Sequence, residues 1–167
     1  MPTECRVIIV MGVAGAGKTT VGLKLARELN WTFIDGDSFH SRSSIEKMAI
    51  GQPLTDADRF PWLDRIRAAI DGWRVEGKRV VLACSLLKAA YRDFVLDGRR
   101  QLVQLVYLKA SPLLLHERLL HRAGHFMKAP LLESQLETLE EPEDALLLDA
   151  ADTPEQLIGH IRTALHL

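Results

Sequence analysis

Residues 7–19 read VIIVMGVAGAGKT, a five-residue apolar run followed by the pattern G-x-x-x-x-G-K-[ST]. Glycines in this pattern let successive backbone N–H groups turn toward one centre, where they can hold phosphate oxygens. A helical pattern follows from Lys18 to Leu29, so the positive end of a helix faces the same centre. A strand, a glycine loop and a helix in this order predict a nucleotide-binding α/β domain and disfavour a tight turn without a ligand.

The glycine loop and the first helical turn supply the candidate nucleotide-binding residues. Lys18 is expected to reach the β- and γ-phosphates as a catalytic residue, and the Thr19 hydroxyl is expected to ligate Mg²⁺. We therefore predict ATP and Mg²⁺ as the cofactors. The predicted nucleotide-binding residues of this segment are Gly12, Val13, Ala14, Gly15, Ala16, Gly17, Lys18, Thr19 and Thr20.

The composition predicts one globular domain over residues 1–167. Hydrophobic residues make up 47% of the chain, as in folded proteins, and the formal net charge of −1 disfavours a nucleic-acid-binding surface. No apolar run is long enough to cross a membrane. Cys5 and Cys84 give neither a disulfide framework nor a metal-ligand spacing. Glu4 and Arg6 lead straight into the first strand without a secretory signal, so a cytoplasmic protein is expected.

Apolar, strand-like runs alternate with helical patterns along the rest of the chain. This alternation predicts a three-layer α/β fold, in which helices cover both faces of a five-stranded parallel sheet. Ligands should bind at the carboxyl ends of the strands, where the glycine loop also lies. Pro61 is expected in the first turn of the third helix. The later strands are predicted at 31–34, 80–84, 102–108 and 145–149, and the later helices at 44–50, 58–75, 87–96, 112–122, 131–139 and from Thr153 onward.

Two carboxylates end the second predicted strand, in the sequence Asp35-Gly36-Asp37. One can hold Mg²⁺ while the other accepts a proton from an acceptor hydroxyl, and the residues leave open which does which. A solvated Asp-Gly turn is the alternative. The strand at 80–84 ends in Ser85 instead of the acid common in ATPases, and no Asn-Lys-x-Asp guanine signature occurs. These features favour a small-molecule or nucleotide kinase over a GTPase, a mechanical ATPase or a non-catalytic ATP-binding regulator.

Short segments in order along the chain form a pattern that is specific to one family. They are MGVAGAGK (11–18), DGDSFH (35–40), IEKM (45–48), GQPLTDADRFPWL (51–63), CSLLK (84–88), YRD (91–93), GHFM (124–127) and SQLETLE (134–140). Together they resemble the gluconate kinases of the phosphate-loop type. The resemblance implies transfer of the γ-phosphate of ATP to the 6-hydroxyl of D-gluconate, a fold like that of shikimate kinase, and a homodimer. Ser41, Ser44, Leu86, Lys128 and Leu136 depart from the usual family residues.

The resemblance to shikimate kinases favours Asp35 near the metal and Asp37 near the acceptor hydroxyl, as its general base. The carboxylate and hydroxyls of gluconate also require cations and hydrogen-bond donors. Alternatives remain for two candidates, since Arg59 could form a surface ion pair with Asp56 and Arg92 could be a solvated helix charge. The predicted acceptor-binding residues are Asp37, His40, Arg59, Lys88, Arg92 and His125, of which Lys88 and Arg92 could clamp the carboxylate from one helix face.

The basic stretch around Gly124 is predicted to form a small, mobile helical lid over approximately 118–139. Arg118 and Arg122 lie four residues apart, on one helix face, where like charges repel unless an anion bridges them. The phosphates of ATP are the natural anion, which makes Arg122 a candidate catalytic residue and Arg118 a candidate nucleotide-binding residue. Stacking of Arg118 on adenine, or a charged surface helix, is the alternative.

Overall fold

The computed structural model describes residues 5–121 and 129–167. Within these ranges the strands are β1 (Val7–Met11), β2 (Thr32–Asp35), β3 (Val80–Ala83), β4 (Val103–Lys109) and β5 (Leu146–Asp149). All pairings are parallel, and the spatial order is β2-β3-β1-β4-β5. The predicted five-stranded parallel sheet is therefore confirmed.

Helices follow or precede every strand of this sheet. They are α1 (Lys18–Leu29), α2 (Arg42–Ala49), α3 (Asp56–Glu76), α4 (Ala89–Leu96), α5 (Pro112–Leu120), α6 (Ala129–Thr138) and α7 (Pro154–Leu165). A short 3₁₀ helix (Gly36–Phe39), which the sequence analysis did not predict, follows β2 directly. Across residues 5–121 and 129–167, no helix combines the length and the apolar sequence needed to cross a membrane.

Strand β1 lies at the centre of the sheet, and every one of its residues is buried. Alternate side chains of a strand point to opposite faces. Ile9 therefore packs in one core with Trp62 of α3, whereas Ile8 packs in a second core with Leu25 of α1 and Ile158 of α7. Because both faces are covered, the strand is a continuous apolar run without polar alternation.

Helix α3 begins two residues earlier than the sequence analysis predicted. The Thr55 side chain accepts a hydrogen bond from the Asp58 backbone N–H at 3.2 Å, and the Asp58 carboxylate accepts one from the Thr55 N–H at 2.9 Å. This reciprocal capping box fixes the start of the helix at Asp56. Pro61 consequently lies in the second turn and not in the first, so its missing N–H removes one intrahelical hydrogen bond.

Gly36 has no room for a side chain where β2 passes into the 3₁₀ helix. A Cβ there would lie 2.7 Å from the Ala83 carbonyl oxygen and 3.0 Å from the Cys84 Cβ. Gly36→Ala should therefore lower the free energy of unfolding by roughly 1–3 kcal/mol, measured by urea denaturation. Gly72→Ala in α3 is the control, because its new Cβ meets nothing within 4 Å. Equal stability of Gly36→Ala and the wild type would contradict this close packing.

Candidate active site

A cleft of about 210 Å³ opens beyond the carboxyl ends of β1, β2 and β3. Its walls come from the glycine loop after β1, the segment after β2, the start of α3 and one side of α6. The cleft therefore lies where the topology of a parallel sheet predicts a ligand site. Of the candidate residues from the sequence, those that line it are Ala14, Gly15, Gly17, Lys18, Thr19, Thr20, Asp35, Asp37, His40 and Arg59.

The glycine loop places the start of α1 against this cleft. Gly17 occupies the N-cap of α1 at a φ of 102°, a left-handed conformation that favours glycine. Because Gly17 has no side chain, nothing of its own covers the first N–H groups of the helix. The Lys18 Nζ lies 3.0 Å from the Val13 carbonyl oxygen, folded back over the loop. The remaining candidates of the loop, Gly12, Val13 and Ala16, are buried and do not line the cleft.

Asp35 and Asp37 have different surroundings, although only Gly36 separates them in sequence. The Asp35 Oδ1 accepts a hydrogen bond from the Asp37 backbone N–H at 2.9 Å and so caps the 3₁₀ helix. Asp37 is open to solvent in the cleft, yet partial desolvation and the charge of Asp35 raise its carboxyl pKa, while Lys18 acts against this shift. The Asp37 carboxylate therefore binds a proton more tightly than an ordinary aspartate does. The position of the Asp35 side chain is fixed by the hydrogen bond through which it caps the 3₁₀ helix.

His40 contributes its ring to the wall of the cleft. Its ring stacks on Trp62, with the centroids 4.3 Å apart and the planes 13° from parallel. The Trp62 Nε1 in turn donates to the Gly36 carbonyl oxygen at 2.8 Å. Burial, together with the charges of Arg59 and Arg65, lowers the pKa of His40 to about 4. Among the described residues, its Nδ1 is the one buried side-chain nitrogen or oxygen without a hydrogen-bond partner.

Arg59 reaches the cleft from the first turn of α3. Its Nη1 donates to the Tyr91 hydroxyl at 3.1 Å, and that hydroxyl donates to the Asp56 carboxylate. The Lys88 Nζ lies 3.1 Å from the same carboxylate. The surface ion pair considered for Arg59 and Asp56 is therefore replaced by a chain of hydrogen bonds in which Tyr91 lies between the two.

Lys88 and Arg92 do not form the expected carboxylate clamp. Lys88 is the N-cap of α4, with an extended backbone, so helical spacing does not relate it to Arg92. Arg92 is buried, with 5% of the residue exposed, and its Nη1 donates to the carbonyl oxygens of Leu86 at 2.9 Å and Leu87 at 3.1 Å. Neither cation lines the cleft. Arg92 instead holds the turn between β3 and α4, which corrects both the clamp and the solvated-charge interpretation.

Arg118 connects two segments at the edge of the cleft without lining it. Its Nη1 donates to the Gly15 carbonyl oxygen at 2.9 Å, and its Nη2 donates to the Ala150 carbonyl oxygen at 2.7 Å. The guanidinium therefore ties the glycine loop to the segment after β5. Arg122 and His125, the other candidates of this basic stretch, lie outside the described residues.

Helix α6, the later part of the predicted lid, packs against the glycine loop. Its Leu132 belongs to a core cluster with Val13 and Leu115. The Gln135 Oε1 accepts a hydrogen bond from the Ala14 backbone N–H at 2.8 Å. One side of the cleft is therefore closed by a helix that is bound to the phosphate-loop backbone.

Among the cleft-lining residues that were not predicted as site residues, three contact the candidate residues directly, namely Trp62, Tyr91 and Gln135. Trp62 lies in the GQPLTDADRFPWL segment and is buried, yet it also supports His40 by stacking. Tyr91 and Gln135 lie in the YRD and SQLETLE segments that carried the resemblance. Their presence in family-specific segments was the available signal, but it named no partner for either side chain.

Cys84 follows β3 directly and is buried under Gly36. Desolvation, and to a smaller extent the charge of Asp37, raise the pKa of its thiol well above the usual range. The thiol therefore stays protonated at physiological pH and is not a candidate nucleophile.

Comparison with known proteins identifies the family to which this cleft belongs. A family model for shikimate kinase matches residues 14–156. The gluconokinase of Gluconobacter oxydans (strain 621H) is 48% identical over 148 residues, which cover 86% of this chain and 80% of that protein. The chain belongs to the gluconokinase family. The resemblance seen in the sequence segments is thereby confirmed.

Two crystal structures extend the match to the fold of the gluconokinase family. An unliganded sugar kinase from Janibacter sp. HTCC2649 superimposes with a TM-score of 0.90 at 40% identity, over 98% of this chain and 95% of that one. A gluconokinase from Sinorhizobium meliloti 1021 gives a TM-score of 0.84 at 39% identity, over 99% and 93% of the two chains. The similarity therefore extends along nearly the whole chain and includes the elements that line the cleft.

The surroundings of His40 predict an imidazole that stays neutral over an unusual pH range. Since its pKa is about 4, lowering the pH from about 8 to about 5 should leave the ring nitrogens in their neutral tautomer. Nitrogen-15 NMR of the imidazole, assigned with His40→Gln, measures this directly. The lowered pKa also makes the free energy of unfolding depend on pH, because the imidazole is protonated at a higher pH in the unfolded chain than in the folded protein. The contribution of neutral His40 to this free energy is complete above about pH 6.5 and is lost as the pH falls toward about 4. Titration of this ring near pH 6.5 would contradict the described environment.

Proposed function

We propose that this protein transfers the γ-phosphoryl group of ATP to the 6-hydroxyl of D-gluconate, giving 6-phospho-D-gluconate and ADP. The observation that carries the proposal is the convergence of a glycine loop, two carboxylates and a cationic wall on one cleft. This convergence occurs in a chain whose relatives in Gluconobacter oxydans and Sinorhizobium meliloti are gluconokinases. Each group in the cleft has a chemical task in such a transfer.

The glycine loop is the proposed site of the ATP phosphates. Backbone N–H groups at the start of α1 point toward the cleft with the positive end of the helix dipole, and they require no rearrangement to meet an anion. Lys18 lies in the same loop and can exchange its contact with the Val13 carbonyl for phosphate oxygens. Arg118 holds the Gly15 carbonyl and so supports the loop from behind.

The oxygen donors in the cleft fit Mg²⁺. Among residues 5–121 and 129–167, no group of three or more His, Cys, Asp or Glu could enclose a metal ion. Thr19 and Asp35 nevertheless both line the cleft. Mg²⁺ commonly takes one or two protein oxygens and completes its octahedron with phosphate and water, so these two residues are the proposed ligands. When bound there, the ion would neutralise charge on the phosphate oxygens.

Asp37 is the proposed general base. Its raised pKa increases its affinity for a proton, which suits a group that accepts the hydroxyl proton late in transfer. Asp35 caps the N–H of Asp37 and so holds its backbone in place. Lys18 lies close enough to influence the Asp37 carboxylate, which links the base to the phosphate site.

Arg59 and His40 are the proposed contacts to the acceptor. The Arg59 guanidinium can hold the carboxylate of gluconate through paired N–H donors. The neutral imidazole of His40 lines the same wall and is the proposed contact to a hydroxyl along the sugar-acid chain. Lys88 would act on this site through Asp56, and Arg92 through the turn that it holds. Contacts from Arg122 and His125 remain predictions, as do the homodimer and the cytoplasmic location.

A comparison of acceptors tests the proposed activity. Purified protein with Mg²⁺ and ATP should release ADP chiefly with D-gluconate when it is offered gluconate, related sugar acids, shikimate and nucleoside monophosphates in a coupled assay. Mass spectrometry should find one phosphate on the terminal hydroxyl of the product. Faster turnover of another acceptor would overturn the choice of substrate. ATP binding without turnover of any acceptor would instead favour a non-catalytic regulator.

Asp37→Asn tests the assignment of the general base. Turnover should fall at least about a hundredfold while ATP affinity remains close to wild type, because the variant loses the proton acceptor and keeps the glycine loop. At pH 7 the unliganded variant should be at least as stable as the wild type, since a raised carboxyl pKa means that the fold disfavours the ionised form.

Asp35→Asn is the matched comparison for this prediction. The amide oxygen of Asn can still cap the 3₁₀ helix, so the variant removes mainly the charge. We expect its lost turnover to recover in part at high Mg²⁺, which should not rescue Asp37→Asn. Near-normal turnover of Asp37→Asn, or rescue of that variant alone by Mg²⁺, would contradict the two assignments.

A further inference from the structure

Tyr91 is a buried residue of α4, 2% exposed, whose side chain borders the cleft. It belongs to the YRD segment, and the proposed function gives Tyr91 itself no task. Its hydroxyl lies between an anion and a cation, because it donates to Asp56 and accepts from the Arg59 Nη1 at 3.1 Å. The Arg59 guanidinium also lies over the Tyr91 ring, with 5.7 Å between the guanidinium carbon and the ring centroid.

The direction of the Tyr91 hydroxyl proton is fixed by Asp56. A phenol carries one hydrogen and can accept through its oxygen. Hydrogen bonds from Tyr91 and Lys88 lower the pKa of the Asp56 carboxyl, so it remains an ionised acceptor. Since the Tyr91 hydrogen points to that carboxylate, its oxygen lone pair is left for Arg59. Each contact in the series Lys88, Asp56, Tyr91 and Arg59 therefore joins a donor to an acceptor, and no two groups of like charge meet.

Holding Arg59 through a phenol has a different effect from holding it through a carboxylate. A direct pair with Asp56 would neutralise the guanidinium and compete with an incoming carboxylate. Tyr91 is uncharged and restricts the guanidinium without cancelling its charge. Asp56, meanwhile, is paired with Lys88 at 3.1 Å. Of the five N–H donors of a guanidinium, one is bound to a partner within the described residues.

We propose that Tyr91 is a positioning residue that holds Arg59 ready for the carboxylate of the acceptor. The inference rests on the proposed function, because it requires an acceptor that carries a carboxylate. Because Tyr91 already restricts the rotamers of Arg59, less side-chain entropy is lost when the acceptor binds. The fixed guanidinium therefore raises the affinity for the acceptor. The same arrangement selects a carboxylate acceptor over a neutral polyol of equal length. Tyr91 itself acts through Arg59 and does not take part in phosphoryl transfer.

Tyr91→Phe isolates the hydroxyl, because the ring that packs in the core is kept. The KM for gluconate should rise roughly tenfold, which is the scale expected for one hydrogen bond to a charged group. The KM for ATP should stay within about twofold, and kcat within about threefold, since the glycine loop and Asp37 are untouched. A merely structural role would change all three values together with the thermal midpoint.

Tyr107→Phe is the matched control. Tyr107 is similarly buried, at 3% exposed, and its hydroxyl also donates to a carboxylate, that of Glu141 at 3.1 Å. It does not line the cleft, so its loss should leave the KM for gluconate unchanged. An equal rise of this KM in both variants would overturn the inference, because the effect would then come from the loss of any buried hydroxyl.

A double-mutant cycle tests whether Tyr91 acts through Arg59. In an Arg59→Ala background, Tyr91→Phe should change the KM for gluconate by less than about twofold, whereas independent roles would give the full tenfold again.

Failure of the wild type to phosphorylate gluconate would count against the proposed function, and the cycle is then run with the acceptor that it does phosphorylate. An equal KM for a carboxylate acceptor in wild type and Tyr91→Phe overturns the Tyr91 inference alone. Turnover confined to acceptors without a carboxylate overturns it as well, and no turnover of any acceptor overturns both.

Discussion

The parallel pairing of β3 with both β1 and β2 determines where every functional group of this protein lies. Val80 aligns with Val7 on one side and with Thr32 on the other. In this register, Asp35 at the end of β2 pairs with Ala83 at the end of β3, next to the start of the glycine loop. A loop that follows any of these strands must therefore leave the sheet at the same edge. The position of the cleft is therefore determined first by the register of the strands, and the side chains then determine its chemistry.

Contacts between distant parts of the chain then fix the groups at this edge. Trp62 reaches from α3 to the Gly36 carbonyl and supports His40 by stacking. Arg118 and Gln135 attach α5 and α6 to the backbone of the glycine loop. These contacts place the glycine loop, the two carboxylates and the wall that carries His40 and Arg59 on a common, packed support, which suits a reaction that depends on alignment of donor and acceptor.

The fold was predictable from the sequence because β1 and β3 are buried on both faces and so appear as continuous apolar runs. The glycine loop and the Asp-Gly-Asp segment were equally visible, since each is local in sequence. The start of α3 was misplaced because Pro61 was given more weight than the Thr55–Asp58 capping box. Pro can occupy a later turn when packing and caps stabilise the helix around it.

The acceptor side was less predictable, because its contacts join residues that are far apart in the chain. Spacing suggested that Lys88 and Arg92 share a helix face, but Lys88 precedes the helix and Arg92 turns to backbone carbonyls. Nothing local relates Asp56 to Tyr91, which lies 35 residues later. Side-chain periodicity describes faces of single elements and carries no information about which elements meet.

The burial of Cys84 affects how the protein reacts with oxidants. Peroxides and electrophiles react with the thiolate, and burial holds the pKa of this thiol high. The pKa of Cys5, the other free cysteine, is also raised by burial. A thiol packed against the carboxylate-bearing segment can therefore serve as a small apolar side chain without becoming a redox switch.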